Sequence, residues 1–457
     1  MTWKLSDIAQ AVDGELVHAP KEPVIITQVN TDSRELEEGA IFVPLVAERN
    51  GHEFIESAVD SGAVASFWSD AVEDAPTDLP LIVVEDTEEA YQQFAHWHLK
   101  QLNPKVVGIT GSNGKTTTKD MTHAVLSMKY KTHKTPANEN NQLGVPKTIF
   151  SMPESTEILI LEMGMSAPGE IVELTEIGEP DVTVITMIDD SHIEFFGSRE
   201  KIAEEKLSIL EGLKTDGLFI HPYDEPLISG QFASDIRHQT FGRNDAADLQ
   251  AYDIETSARE TTFTVGVPTE ERIHLPIPGE YNVQNALIAL LIGFEFGVDL
   301  LDAKEGLENL SLTKNRLEWV SGKNEVDLLN DAYNASPTSM KAALGYFEDI
   351  DIPGDKGIVL GDILELGEDS KSFHEGISEG VTLEAYKFVY LYGEEMQHLY
   401  DKLSTSDDSD KVKHFSGSKD ALIEAIEKNA KAKDAVLFKS SNGTDLIAVV
   451  DALKEEN

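Results

Sequence analysis

Hydrophobic positions in this chain fall into short strand-like runs separated by helical stretches, and the alternation continues from end to end. The run Val106-Val107-Gly108-Ile109 is continuous rather than alternating, as a strand covered on both faces should be. Beyond a glycine-rich turn, Met121, Ala124, Val125 and Met128 recur at helical spacing and predict an amphipathic helix. Further strands are predicted at Ile158 to Leu161, Val182 to Ile188, Leu218 to Ile220, Gly357 to Leu360, Phe388 to Tyr392 and Ala435 to Phe438. Pro276-Ile277-Pro278-Gly279 precedes a long apolar helix, from Asn282 to about Phe296. Such alternation predicts an α/β protein with a parallel, doubly wound sheet.

At 457 residues the chain exceeds one ordinary hydrophobic core, and two breaks divide it into three α/β domains. Leu102-Asn103-Pro104 ends a small module, residues 1–100, which carries a turn at Asn50-Gly51 and a Pro-rich acidic stretch from Asp74 to Pro80. A second boundary near Leu312 to Asn315 separates a central domain, 101–313, from a C-terminal domain, 314–457.

No segment approaches the roughly 20 apolar residues of a membrane span, and the start lacks the apolar run of a signal peptide, so a cytoplasmic protein is expected. The absence of cysteine removes disulfides, thiolate catalysis and thiolate metal sites, leaving oxygen and imidazole as ligands. A formal charge of -46 disfavours nucleic acid and anionic membranes as partners. Any phosphate-bearing substrate then needs a locally positive pocket of a few lysines, arginines and backbone amides.

Such a pocket is offered by Gly111-Ser112-Asn113-Gly114-Lys115-Thr116-Thr117, between the first strand and helix of the central domain. Glycines let successive N–H groups turn toward phosphate oxygens, the helix N-terminus adds positive potential, Lys115 bridges the outer phosphates and Thr116 offers a hydroxyl to magnesium. The loop is shorter than the common P-loop, with Ile109 where the first glycine would stand, and by itself it fits a kinase, a GTPase or a ligase equally. Glu162 ends the strand Ile158 to Leu161 at the carboxyl edge, where an open α/β sheet binds ligands and a carboxylate can hold magnesium; an exposed strand-end acid is the other reading. His192 follows another strand end in Asp189-Asp190-Ser191-His192, and a lone histidine is more often structural. Lys206 reads most simply as a solvated helix lysine.

Taken together, GSNGKTTTK, LEMG, SHIEFFGS followed by REKIAEEK, PGEYNVQNALIA, NRLEW and DAYNASPTSM resemble, in order, the motifs of the Mur ligases, the amide-forming synthetases of peptidoglycan assembly. Residues 135–146, TPANENNQLGVP, and the later LGDILELGEDSKSFHEG look like the family member that acts last. The resemblance implies a UDP-sugar-binding N-terminal domain, a central ATPase domain and a C-terminal Rossmann-like domain. It also implies a monomer that joins D-alanyl-D-alanine to a UDP-N-acetylmuramoyl-tripeptide at the expense of ATP. It assigns Lys115 to the phosphates, Thr116 and Glu162 to one magnesium ion and His192 to a second, and makes Lys206 a carbamate-bearing lysine. Asn282 and Asn285 fall on the adenine side, Arg316 and Asp331 reach the nucleotide from the C-terminal domain, and Tyr333, Asn334 and Ser336 stand where the dipeptide is expected. Ser33, Arg34, Gly51 and His52 match segments that meet the UDP-sugar.

The chain departs from the family pattern at Tyr281, where histidine is frequent, at Asn315, where glycine is frequent, at Ser336, where asparagine is frequent, and at Ser440-Ser441-Asn442, in place of Gly-Ser-Arg. A sister ligase that adds lysine or diaminopimelate, a folylpolyglutamate synthase and a P-loop ATPase that forms no bond remain the alternatives.

Overall fold

The computed structural model describes residues 1–71, 75–266, 269–311, 313, 315–406 and 408–455. The start of the predicted acidic stretch, Asp74, and two residues of the second predicted boundary, Leu312 and Lys314, lie outside the described residues.

Among the described residues the central domain is built on a nine-stranded sheet. Its order is Thr132–Lys134, Ile158–Glu162, Lys105–Thr110, Val182–Ile185, Leu218–Pro222, His238–Gly242, Leu249–Thr256, Thr261–Val265 and Glu271–Leu275. The strands from the first to Leu249–Thr256 are parallel, as the apolar runs predict. The last two add antiparallel pairs, so the sheet is mixed rather than purely parallel. The third predicted strand is also shorter than expected: Val182–Ile185 ends before Thr186, and the chain leaves the sheet there.

Lys105–Thr110 sits between the strands that follow it on either side, so the order reverses there and a crevice opens at its carboxyl end. The next helix, Lys115–Ser127, begins in that crevice and packs against Tyr281–Glu295 over one face of the sheet, burying Val107, Ile109, Met121, Val125, Leu287 and Leu291. The other face is closed by Leu99, Val145, Ile171, Leu174 and Ile202.

The C-terminal domain has a six-stranded sheet in the order Glu318–Gly322, Val326–Asp331, Ala435–Lys439, Lys356–Gly361, Phe388–Tyr392 and Val412–Phe415, parallel except for its first pair. The N-terminal domain carries a five-stranded mixed sheet beside a two-stranded one, joined to the central domain by the helix Thr87–Leu102. Asn103 ends that helix in the left-handed conformation, φ 49°, just before Pro104.

Candidate active site

Gly114 caps the helix Lys115–Ser127 at φ 83°, so the loop turns its amides toward the crevice as a phosphate cradle requires. Gly111, at φ 149°, lies so close to Thr186 that a Cβ would stand 1.8 Å from its hydroxyl. The Lys115 ammonium folds back to the Gly111 carbonyl at 2.7 Å, ready to exchange that contact for a phosphate oxygen. Burial lowers its pKa.

Glu162 is 1% exposed, so the reading of it as an exposed strand-end acid is corrected. One oxygen accepts from Thr116 Oγ1 at 3.2 Å and Asn140 Nδ2 at 2.8 Å. The other has the Lys119 ammonium 3.1 Å away but receives no directed hydrogen bond from the described residues. Lys119 lies four residues after Lys115, hence on the same helix face, and spends its directed bond on the Ala137 carbonyl at 2.7 Å. A hydroxyl and a carboxylate with an unclaimed oxygen form a hard-oxygen donor pair that fits magnesium. Among the described residues no group of three or more His, Asp and Glu side chains is placed to hold a metal ion.

Lys206 is also a correction: it is 1% exposed rather than solvated, because the helix Arg199–Leu207 turns Glu204 outward and Lys206 inward, toward Met165. Neighbouring Glu205 accepts from the Gly169 and Ile171 amides at 3.0 and 3.1 Å, at the start of the helix Glu170–Gly178. The Lys206 ammonium finds only the Met165 sulfur, at 3.4 Å. Burial, and then the charge of Lys115, drive its pKa well below the usual lysine value.

The C-terminal domain closes the crevice. Arg316 donates to Thr116 Oγ1 at 3.3 Å and lies 4.2 Å from the Tyr333 ring centre. Arg316 Nε and the Tyr333 hydroxyl are buried without hydrogen-bond partners among the described residues, so both are open to a ligand. Burial raises the Tyr333 pKa to about 12. Asp331 is held by the Lys439 ammonium at 2.6 Å. His192, at the sheet edge, meets Glu365 of the C-terminal domain at 2.6 Å. The phosphate loop, Glu162, His192, Asn282, Asn285, Arg316, Asp331, Tyr333, Asn334 and Glu365 line one cavity of about 470 Å³.

Other expected residues have different places. Asn285 accepts from Thr118 Oγ1 at 3.2 Å and donates to Asn282, which donates to the Pro278 carbonyl. Both are therefore tied into the wall of the cavity. Ser336 does not line it: its hydroxyl caps the helix Pro337–Asp349 and accepts from Asn113 at 3.0 Å, bracing the two domains. In the N-terminal domain Arg34 is exposed and engaged with Asp32, 2.6 Å apart. His52 is buried against Trp68 and accepts from the Ser69 amide at 3.0 Å. Gly51 is pressed against Leu45, and Ser33 is buried. The open groove of that region, about 1010 Å³, is instead lined by Asn30, Thr31, Asp32, Asn141, Lys147 and neighbours, and includes none of those four. Sequence reasoning assigned no role to Lys119, Asn140 or Glu365. Each left a signal: Lys119 its spacing from Lys115, and Asn140 and Glu365 their places in TPANENNQLGVP and LGDILELGEDSKSFHEG.

Residues 109–293 match the Mur ligase middle domain, and residues 315–442 match the Mur ligase, glutamate ligase domain. Over 99% of this chain and 98% of the relative, it is 42% identical to a UDP-N-acetylmuramoyl-tripeptide–D-alanyl-D-alanine ligase of Bacillus subtilis. The chain belongs to the Mur ligase family. An Escherichia coli ligase of the same description is 32% identical over 99% of this chain and 98% of that one. Among solved Mur ligases, a crystal structure of MurF from Acinetobacter baumannii superposes with a TM-score of 0.88 at 28% identity, covering 100% of this chain and 99% of that one. MurF ligase from Thermotoga maritima in complex with ADP gives 0.81 at 28% identity over 93% and 96%.

Proposed function

We propose that this Mur ligase joins D-alanyl-D-alanine to a UDP-N-acetylmuramoyl-tripeptide, with ATP converted to ADP and phosphate. The likeness to UDP-N-acetylmuramoyl-tripeptide–D-alanyl-D-alanine ligases along the whole chain carries the choice of substrates. The shared cavity, in which the phosphate loop faces Arg316, Tyr333 and Asn334 of the C-terminal domain, carries the chemistry.

A carboxylate resists attack by an amine until one of its oxygens is made a leaving group. A tripeptide carboxylate oxygen attacks the γ-phosphorus of ATP, ADP departs, and an acyl phosphate forms. The dipeptide amine then attacks the carbonyl carbon, loses a proton, and inorganic phosphate leaves from the tetrahedral intermediate. In this reading Gly111, Ser112, Asn113, Gly114 and Thr117 cradle the phosphates by their amides, and Lys115 offsets the charge that develops on the γ-phosphate. Asn282 and Asn285 shape the adenine side, while Arg316 and Asp331 reach the nucleotide as the C-terminal domain closes and excludes water. Tyr333 and Asn334 face the acceptor, with Ser336 bracing them from behind. Thr116 and Glu162 would hold one magnesium ion and His192 a second, and bound magnesium supplies countercharge to the converging anions.

Lys206 fits a carbamate: burial and the charge of Lys115 push its ammonium toward the neutral amine that adds carbon dioxide, and the anion so made would turn repulsion from Lys115 into attraction. The N-terminal domain takes the UDP-sugar, with Ser33, Arg34, Gly51 and His52 in the segments that meet it and the groove beside Asp32 next to the first two. We place the domain divisions at 1–100, 101–313 and 314–457, and the enzyme in the cytoplasm where nucleotide-linked precursors are made; no described helix is long and apolar enough to cross a membrane. Replacing Lys115 with alanine tests the phosphate assignment: product formation followed by mass spectrometry should fall below detection, and substantial turnover would refute it.

A further inference from the structure

The strand Lys356–Gly361 is followed by a turn that the chemistry above leaves unused. Glu365 stands in it at φ 64°, a left-handed conformation that a residue with a side chain keeps only where its surroundings enforce it. Here the surroundings are the central domain. The Glu365 carbonyl accepts from the Glu194 amide at 3.4 Å, and at Gly367, φ 60°, a Cβ would come within 3.2 Å of the Glu194 backbone. The strained turn therefore presses across the domain boundary and carries the Glu365 carboxylate into the cavity that holds Lys115.

Three carboxylates line that cavity: Glu162, Asp331 and Glu365. Glu162 has the Lys119 ammonium at 3.1 Å, and Asp331 has that of Lys439 at 2.6 Å. Among the described residues Glu365 has no lysine or arginine within ion-pairing distance. Its one close basic neighbour is the His192 imidazole, whose Nδ1 stands 2.6 Å from Oε2 without hydrogen-bond geometry, and its side chain remains 45% exposed. An amine acceptor arrives at neutral pH as an ammonium, which cannot enter a cleft rich in lysine and arginine without an anion to receive it. We propose that Glu365 is that anion, a specificity-determining residue that binds the amino group of the acceptor and holds it over the site where the acyl phosphate forms. His192 lies against one oxygen and leaves the other to the ammonium.

The inference rests on the ligase reading. Its test compares wild type with Glu365→Gln, which keeps shape and removes charge, using whichever amine acceptor the wild type turns over. The acceptor KM should rise by about tenfold or more, the size of a lost charge-assisted hydrogen bond. The KM for ATP, the magnesium requirement and the melting temperature should stay put. An N-acetylated acceptor, which has no ammonium, should bind both proteins equally as a competitive inhibitor. An unchanged acceptor KM overturns the proposal. So does a higher magnesium requirement with an unchanged acceptor KM, which would make Glu365 a support for His192, and so does an equal loss of the N-acetylated ligand. If the wild type prefers a single amino acid to D-alanyl-D-alanine, the choice of substrate fails while the role of Glu365 is still decided by the same comparison.

Discussion

Lys206 and Met165 face each other in the interior, ammonium nitrogen to thioether sulfur at 3.4 Å, and the Glu205 charge opposes only part of what burial and Lys115 do to that ammonium. A thioether is a weak acceptor, so burial without a strong partner pushes the lysine toward its neutral amine. The neutral amine is what carbon dioxide needs. Lys206→Ala should lose most activity and regain part of it with acetate or formate at high concentration. Because carbamate formation releases a proton, carbon dioxide removal at mildly acidic pH should slow the wild type, with bicarbonate restoring it. Full activity in Lys206→Ala would refute the assignment.

Gly111 and Gly114 are required by space as well as by backbone angle. A Cβ at Gly111 would overlap the Thr186 hydroxyl, and one at Gly114 would stand 2.7 Å from Asn285 Oδ1. Gly111→Ala should lower stability by about 1–3 kcal/mol and weaken ADP binding by more than tenfold, measured by denaturant unfolding and calorimetric titration.

The Trp3 indole donates to His98 Nδ1 at 3.1 Å, and His98 is 4% exposed, stacked on Phe150. Burial lowers its pKa to about 4, from an ordinary 6.5. A depressed folded-state value means stability that is present in full above pH 6.5 and is lost as pH falls toward 4. The loss should reach about 3 kcal/mol, because protonating Nδ1 sets it against the indole donor. Unfolding free energy measured between pH 7 and pH 4 should fall more steeply in wild type than in His98→Gln.

The hairpin between Leu249–Thr256 and Thr261–Val265 reaches the C-terminal domain at its tip. The Ala258 carbonyl accepts from Trp319 Nε1 at 2.8 Å and from the Tyr346 hydroxyl at 2.6 Å, while Arg259 lies 5.1 Å over the Trp319 ring. Trp319→Phe removes one of these bonds and should cost about 1 kcal/mol in unfolding free energy. It should also raise the KM values for ATP and acceptor together, since both occupy the cavity that the latch helps close.

The phosphate loop, the strand ends at Glu162 and near His192, and the helix with Asn282 and Asn285 were legible because local physics dictates them: apolar runs, a glycine turn and a helix start. The antiparallel strands at the sheet edge were not, because a bulge between Tyr252 and Glu255, with Asp253 at φ 49°, breaks their alternation. The burial of Lys206 could not be read from a helix rich in glutamate, since packing against distant residues such as Met165 decides which side is covered. Asn315, where the family favours glycine, proved compatible: it sits at φ 64°, a conformation asparagine tolerates better than most residues. The pairing of His192 with Glu365 joins residues far apart in sequence and exists only once two domains meet.

The most direct measurement is phosphate release from ATP and magnesium in the presence of UDP-N-acetylmuramoyl-tripeptide, with and without D-alanyl-D-alanine, and with single amino acids in its place. Release that needs both the nucleotide-linked tripeptide and the dipeptide is the expected result. Release driven by a single amino acid, or by ATP alone, would contradict it.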